Sequence, residues 1–541
     1  MQDIADYKVR FCKDVEDYFI KTMGQEYYDT ICSKACRSPS YDYDLEYTSQ
    51  YLEILFLNEH GDMIIIPPRE SKDISFEELK NLPLCIVDRK CGESVLRGSD
   101  IYVKGIRFIT KPIETKQKVC IAVELPSELP PLPRGSDIQL YKGNMVVIGY
   151  GFTCMNHIDI FKNNSGKAID NIFTRFFTFP SLNSLPSSCF LQNLPSYLIP
   201  YILLPKESDI ILDMCASPGG KTTHISQIMK NKGIIIATDR SKNKLLSEVA
   251  ENITNLNCKN IYIRSCDMSK CLLSEEDEEC LRNHPDDFQI KDSVVQFDTS
   301  SVRYKKKLIR IYKQKLRRKN DKVSVTDAKA DQKNDQDIDI NEEELEEFIK
   351  QKVNTTNEYI EDNNMTLSKE QSILSLYPYP SSSSPTPLSI LINKAQTNGS
   401  IKVPGFPRES FDRILLDPPC SALGLRPRLC HDTTLQELEG TSNYQKRFID
   451  NAIALLKVGG ILVYSTCTIN PMENEENVKY ILEKYPMELL EAPAEIYEYS
   501  QKGIEGILSP ENTKKVIRFS MNDKYDSNGF FAAKFKKVKS L

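Results

Sequence analysis

The stretch "LDMCASPGGKTTHIS" at residues 212–226 decides how the second half of the chain is read. Its close, Gly220-Lys221-Thr222, resembles the end of a triphosphate-binding loop. Such a loop needs Gly, four residues, then Gly-Lys-Ser/Thr, and the position of the first Gly is held by Cys215. A side chain there removes the backbone freedom a phosphate cradle depends on. The turn is built for another ligand.

Outward from it, strand and helix patterns alternate. "DIILDMC" is an apolar run ending in the turn, "KTTHISQIMKN" a helix, and "GIIIATD" a buried strand. "SKNKLLSEVAENITNLN" reads as a second helix and "NIYIRSCD" as a third strand. The pattern resumes at "FDRILLDPPC", passes a helix near 443–457 and ends at "GGILVYSTCT". Repeated βα units predict a parallel, doubly wound sheet of the Rossmann-like α/β class.

Ligands of such sheets sit beyond the carboxyl ends of the strands. Collected there are Asp213 through Lys221, Asp239, Asp267, the run Asp417-Pro418-Pro419-Cys420, and Thr466-Cys467-Thr468. Asp239 lies about 20 residues beyond the turn, the spacing at which an acid meets ribose hydroxyls. Asp267, one strand on, is placed to accept from an adenine amino group. Singly, each Asp reads as a helix N-cap; three on successive strands favour a nucleoside. The pattern predicts S-adenosylmethionine, with Gly219 and Gly220 letting backbone approach its methionine part and Lys221 at the helix start.

"DPPC" sets the chemistry. An aromatic residue after the prolines would suit methylation of an exocyclic amine; Cys420 stands there instead, with Cys467 on the neighbouring strand. Carbon 5 of cytosine is a poor nucleophile until a thiolate adds at carbon 6 and makes an enamine. Asp417 fits the acid needed near the ring nitrogen.

The remaining chain supplies context. With 541 residues, two folded domains and extra segments are expected. A net charge of -6 gives no global attraction to nucleic acid, so RNA contacts must be local. The 16 Cys form no CxxC pairs and His number five, which argues against metal sites and for a reduced, cytoplasmic setting. The N-terminus lacks the pattern of a signal peptide, and no run of about 18 apolar residues suggests a membrane span. Residues 1–90 read as an α/β region without assigned chemistry, and short apolar runs between Gly turns from Cys91 to Phe161 predict a small β-barrel. Residues 275–400 hold a basic run at 303–319, an acidic run and a Pro/Ser-rich run, and read as a disordered insertion. The basic run is a solvated segment in preference to a nuclear signal or RNA contact.

The chain resembles the Sun-type (nucleolar protein/Sun) RNA cytosine-5 methyltransferases. The pieces that carry the resemblance are "DMCASPGGKTTHI", "ATDRSKNKL", "SCD", "FDRILLDPPCSALG", "GGILVYSTCTINPMENEENV" and "GFFAAKFKK". "CGESVLRGSDIYVKGI" and "LPSSCFLQNLPSYLIPYILLP" are most similar to the member with a PUA domain ahead of the catalytic domain. The resemblance implies cofactor contacts from Cys215, Ala216, Ser217, Pro218, Gly219, Gly220, Lys221, Asp239, Asp267 and Asp417. It implies a nucleophile at Cys467 and a second cysteine, Cys420, that resolves the covalent intermediate. It further implies a PUA-like RNA-binding domain over 91–180, a methyltransferase domain over 181–541, and RNA contacts from Arg97 and Tyr102. The expected substrate is a transfer RNA near its acceptor end, and the expected state a monomer without metal or membrane partner. Ser217 stands where the family commonly has Ala, and the insertion after Asp267 is longer than usual. Arg426 and Arg428 follow the catalytic turn as candidate phosphate contacts. A non-catalytic RNA-binding scaffold and a nucleoside triphosphatase are the competing readings; intact Cys420, Cys467, Asp417 and Asp239 oppose the first, Cys215 the second.

Overall fold

The computed structural model describes residues 2–35, 53–55, 63–65, 75–127, 129–174, 190–283, 405–521 and 527–541. In chain order its strands are β1 Gln2–Asp3, β2 Glu53–Leu55, β3 Met63–Ile65, β4 Leu84–Val87, β5 Ile101–Tyr102, β6 Ile106–Ile109, β7 Lys118–Glu124, β8 Met145–Thr153 and β9 Lys167–Thr174. Then follow β10 Ile210–Asp213, β11 Ile234–Asp239, β12 Ile261–Ser265, β13 Phe411–Leu416, β14 Leu456–Thr466, β15 Met487–Leu490, β16 Ile517–Phe519 and β17 Phe530–Lys537. Two compact units form. One comprises Lys206–Asp412 with Ala454–Lys457; the other comprises Met1–Pro205, Arg413–Ile453 and Val458–Leu541.

In the unit of Lys206–Asp412, β10, β11 and β12 run parallel, Leu212 opposite Ile236 and Ile236 opposite Tyr262. Ile211, Leu212, Ile235 and Ala237 are buried, as strands covered on both faces require. Helices Gly220–Ile228 and Ala250–Asn255 provide crossovers between these strands. The first residues of β13 also belong here: the Asp412 carboxylate accepts the Ile210 N–H at 2.9 Å and the Lys457 ammonium at 2.7 Å.

The unit also corrects the start of the expected insertion. Glu275–Asn283 is a helix, begun by the Ser274 hydroxyl accepting the Asp277 N–H at 3.0 Å. Its composition is acidic, yet Glu278 is buried and accepts from both the backbone and the guanidinium of Arg408 at 2.9 Å. Phe406 N–H donates to Cys271 O at 2.7 Å and Leu273 N–H to Phe406 O at 3.1 Å. The two ends of the intervening chain are thus sealed by their own contacts. Residues 284–404, where the rest of that expectation falls, lie outside the described residues.

In the other unit, an N-terminal sheet has the hydrogen-bonded order β5-β9-β8-β7-β4-β6, with β1 paired to β8. It takes in residues on both sides of 91: β4 lies parallel to β7 and antiparallel to β6. The run "LCIV" of β4 has no Gly turn beside it, so nothing in its spacing tied it to the later strands. Asp88 caps the helix Arg89–Leu96 by accepting the Cys91 N–H at 2.8 Å. Within that helix Gly92 faces Val123, where an added Cβ would lie 2.3 Å from a methyl group, so only Gly lets helix and sheet meet. Arg134 ties three segments by donating to the carbonyls of Val103, Ile106 and Ile160 at 2.7–3.0 Å.

The same unit holds β13-β14-β17-β15, with β16 on β17. β14 and β17 are antiparallel, Thr466 opposite Phe531. The long helix before β14 spans Leu435–Leu455, beginning earlier than the expected 443, and β14 starts at Leu456 ahead of its Gly pair. No helix among the described residues is long and apolar enough to cross a membrane.

Because the seal between Cys271, Leu273, Glu278, Phe406 and Arg408 needs nothing from residues 284–404, the length of chain between them affects closure only logarithmically. Replacing 284–404 by a short Gly/Ser linker is expected to leave cofactor affinity, measured by calorimetry, within twofold of the parent. Loss of a folded protein would show that the segment contributes to packing.

Candidate active site

In the unit of Lys206–Asp412, the turn after β10 is tied down at both ends. Asp213 is buried; one oxygen accepts the Thr222 hydroxyl at 2.7 Å and the other the Cys215 N–H at 3.4 Å. Ala216 N–H donates to Thr238 O at 2.8 Å, and the Thr238 hydroxyl donates towards Asp213 O at 3.1 Å. Pro218 is exposed, and its carbonyl accepts the Asn252 amide at 2.8 Å. Gly219 has φ 105°, a left-handed conformation that a side chain resists, and an added Cβ would lie 3.3 Å from Val249 Cα. Gly220 is buried and Lys221 half-buried in the first turn of the following helix.

Asp239 and Asp267 stand at the ends of adjacent strands, as expected, and each also caps a turn. The Asp239 carboxylate accepts Ser217 N–H at 3.3 Å and Ser241 N–H at 2.8 Å. Asp267 accepts the Ser269 hydroxyl at 2.6 Å and its N–H at 3.1 Å, and these bonds lower its pKa. A carboxylate has about four acceptor positions, so capping does not exhaust either acid. Ser217 Oγ is buried with no hydrogen-bond partner among the described residues. Leaving such a hydroxyl unsatisfied costs about 1–3 kcal/mol. A polar ligand seated in the turn would satisfy it; Ala, usual in the resembling family, would not ask for one. Open backbone, a buried hydroxyl and two carboxylates at strand ends fit a nucleoside-bearing cofactor.

In the other unit, the loops after β13 and β14 bring two thiols together. Cys420 Sγ and Cys467 Sγ are 3.1 Å apart. Cys467 follows the last residue of β14, whose pairing with β17 fixes it, and its carbonyl accepts the Gly424 N–H at 3.1 Å. Cys420 lies beyond the end of β13, after Pro418 and Pro419. Its pKa is raised well above that of a free thiol by the bond to Cys467, by burial, and by the negative charge of Glu473 and Asp417. The two sulfurs are within hydrogen-bond distance, and either can donate to the other. Asp417, half-buried, is close enough to be felt at Cys420.

Beneath the thiols is a polar core that sequence reasoning missed. Glu473 is fully buried, and four donors converge on it. Ser421 N–H at 3.0 Å and Gln445 Nε2 at 2.8 Å reach one oxygen; the Ser421 hydroxyl at 2.5 Å and Asn470 Nδ2 at 3.0 Å reach the other. Burial still raises its pKa against these bonds. Two residues on, Glu475 meets Arg518 in a buried bidentate pair at 2.6 and 2.9 Å. Arg518 also donates to Ile469 O at 3.1 Å, and Glu475 accepts Ile504 N–H at 3.0 Å. Nothing in "PMENEENV" sets these two acids apart from an exposed helix start; a signal that could have found Glu475 is Arg518 within the apolar "VIRFS".

Of the arginines after this turn, Arg426 is spent within the protein, while Arg428 keeps a part-exposed side chain. Arg426 is buried, donating to Ser527 O at 2.8 Å, and Arg428 pairs with the buried Glu93 at 3.5 Å. Arg97 and Tyr102 are both exposed, Tyr102 by 57%. Arg97 ends the helix Arg89–Leu96 and donates to the Ser94 hydroxyl at 3.2 Å, while Tyr102 is opposite Lys167 in the sheet.

Arg518→Met leaves Glu475 buried without its counter-charge, a change that costs about 3–5 kcal/mol. Thermal and denaturant unfolding should show that loss, and the Arg518→Met, Glu475→Leu pair should recover part of it. A double-variant loss equal to the sum of the losses of Arg518→Met and Glu475→Leu alone would show that the charges are not coupled.

The family described as "16S rRNA methyltransferase RsmB/F" matches residues 200–281 and 388–536. An Arabidopsis thaliana protein named rRNA (cytosine-C(5))-methyltransferase NOP2C is 32% identical, over 98% of this chain and 91% of its own. A Pyrococcus horikoshii protein named tRNA (cytosine(72)-C(5))-methyltransferase is 26% identical over 99% of both chains. The crystal structure of NSun6 from Pyrococcus horikoshii with SFG superposes with a TM-score of 0.59 at 25% identity, covering 98% of this chain and 99% of that one. With the Gly turn, the strand-end acids and the thiol pair in place, the chain belongs to the Sun/NOP2-type family of S-adenosylmethionine-dependent RNA cytosine-C5 methyltransferases.

Proposed function

We propose that the protein forms 5-methylcytosine in a transfer RNA near its acceptor end, through a covalent bond between Cys467 and the target base. The observation that carries this reading is the 3.1 Å approach of Cys420 to Cys467 beside Asp417. Residues Cys215–Lys221, Asp239 and Asp267 would hold S-adenosylmethionine, with Asp417 contributing from its own loop. Bound there, the cofactor supplies an electrophilic methyl group.

This chain's residues do the rest. Cys467 loses its proton and adds as thiolate to carbon 6, while Asp417, protonated for this step, donates its proton at the ring nitrogen. The S–C6 bond forms as the carbon 5–carbon 6 double bond opens, and carbon 5 becomes nucleophilic. After methylation, Cys420, as thiolate at this stage, takes the proton from carbon 5, the ring nitrogen returns its proton to Asp417, the double bond re-forms and the S–C6 bond breaks, returning the Cys467 thiolate. Cys420 assists this release.

The N-terminal sheet is read as a PUA-like module that positions RNA, with Arg97 and Tyr102 at its surface. Their exposure supports this reading. Transfer RNA is favoured by the Pyrococcus horikoshii relative, matched over 99% of both chains. A ribosomal substrate is the second reading, favoured by the name of the 32% identical plant relative. The protein is read as a monomer; the free thiols of all the described cysteines support a reducing compartment.

Asp239→Ala should weaken S-adenosylmethionine binding by roughly 1.5–3 kcal/mol, the scale of a charge-assisted hydrogen bond. Calorimetry returning parental affinity would remove Asp239 from the site. The cysteines should fail differently on a denaturing gel with labelled RNA. Cys467→Ala gives no adduct and no product; Cys420→Ala accumulates an adduct that survives denaturation; the double variant gives none. An adduct with Cys467→Ala would reverse the roles. Bisulfite sequencing of transfer and ribosomal RNA after incubation with the protein separates the two substrates.

A further inference from the structure

We propose that Glu473, buried beneath the thiols, is a positioning residue for the release step, and that it acts by fixing Cys420 and leaves the placement of Cys467 largely unchanged. The proposal rests on the assignment of Cys467 as nucleophile and Cys420 as its partner in release.

The argument is one of anchorage. Cys467 directly follows Thr466, which is locked opposite Phe531 in the sheet, and its carbonyl is held by Gly424. Cys420 has no such ladder. It stands four residues beyond Leu416, after two prolines that offer no N–H for pairing. What holds it are its neighbours on either side. Ser421 gives both its N–H and its hydroxyl to Glu473, and Pro419 O accepts Gln445 Nε2 at 3.0 Å. Gln445 in turn is oriented by the same carboxylate, at 2.8 Å. Both flanks of Cys420 therefore lead to Glu473, one directly and one through Gln445.

The carboxylate is suited to the task because every neighbour points a hydrogen at it. The Ser421 N–H and the amide groups of Gln445 and Asn470 can only donate from these atoms. The Ser421 hydroxyl, while donating to Glu473, can accept from the Thr468 hydroxyl 2.7 Å away. Thr468 in turn accepts the Asn470 N–H at 3.2 Å. The direction of donation is set along the whole chain of bonds. A glutamine in place of Glu473 keeps the shape but turns an NH2 against donors, so one flank of Cys420 loses its partner. Cys420 then drifts from the sulfur it serves, while attack by Cys467 proceeds.

The test uses the full chain, a transfer RNA transcript and labelled S-adenosylmethionine. Glu473→Gln should lower kcat at least tenfold and leave KM for RNA within twofold. The covalent adduct should accumulate, as in Cys420→Ala run alongside. Glu473→Asp, which retains the charge, should restore part of the turnover. If Glu473→Gln fails to fold, Ser421→Ala removes one bond of the set and should show the same accumulation to a smaller extent. Adduct in Cys420→Ala but none in a folded Glu473 or Ser421 variant, or turnover at the parental level, overturns the role of Glu473 alone. No adduct in Cys420→Ala overturns the assignment of the thiols on which the proposal rests.

Discussion

The bidentate pair of Arg518 and Glu475 is the constraint on which the thiol site stands. Two charges are held out of water, an arrangement that costs several kcal/mol per ion before their attraction is counted. The cost is offset because the geometry is that of a planar fork on a carboxylate, and because the spare donor and acceptor capacity is spent on Ile469 O and Ile504 N–H. These bonds fasten the chain two residues beyond Cys467. Glu473, Asn470 and Thr468 all lie on the segment so fastened. A second constraint acts on the other loop: Gly424 and Gly529 meet backbone to backbone, and a Cβ on Gly424 would fall 1.8 Å from Gly529 O. The two loops that carry sulfur are thus fixed from opposite sides.

The two parts of the chemistry are built in different ways. The turn after β10, the proposed cofactor site, is built through backbone: a left-handed Gly219, N–H groups held by Thr238 and Asp239, and one buried hydroxyl. The thiol loops work through side chains in a low-dielectric setting, where a hydrogen bond is strengthened and an orphan is costly. That difference follows from the tasks. A large ligand needs room and a fitted surface, whereas a thiol in the proposed role of proton and bond exchange needs a fixed neighbour.

Much of this was legible in the sequence. The parallel strands announce themselves because runs such as "IIIATD" are apolar throughout, and a ligand site at their carboxyl ends follows from the topology. Gly219, Asp239, Cys420 and Cys467 could be placed for that reason. Glu473 and Glu475 could not. Their burial depends on donors that arrive from residues 421, 445 and 518, and the local sequence is that of an exposed helix start. The same blindness ran the other way at Arg426, where a charge beside a catalytic loop suggested phosphate but is spent on the carbonyl of Ser527. Glu278 repeats the lesson: its partner Arg408 is 130 residues away. Periodicity reports the faces of elements; it carries no record of which distant polar group will complete a buried one.

The place of β17 in the order of synthesis has a consequence of its own. Cys420 and Cys467 both leave the ribosome before residues 530–537, which form the strand alongside β14, and before Gly529, which receives the loop after Cys420. A nascent chain that has exposed both sulfurs still presents β14 with an open edge and a loop with nothing to close against. Maturation of the thiol pair is therefore a late event in the life of the polypeptide.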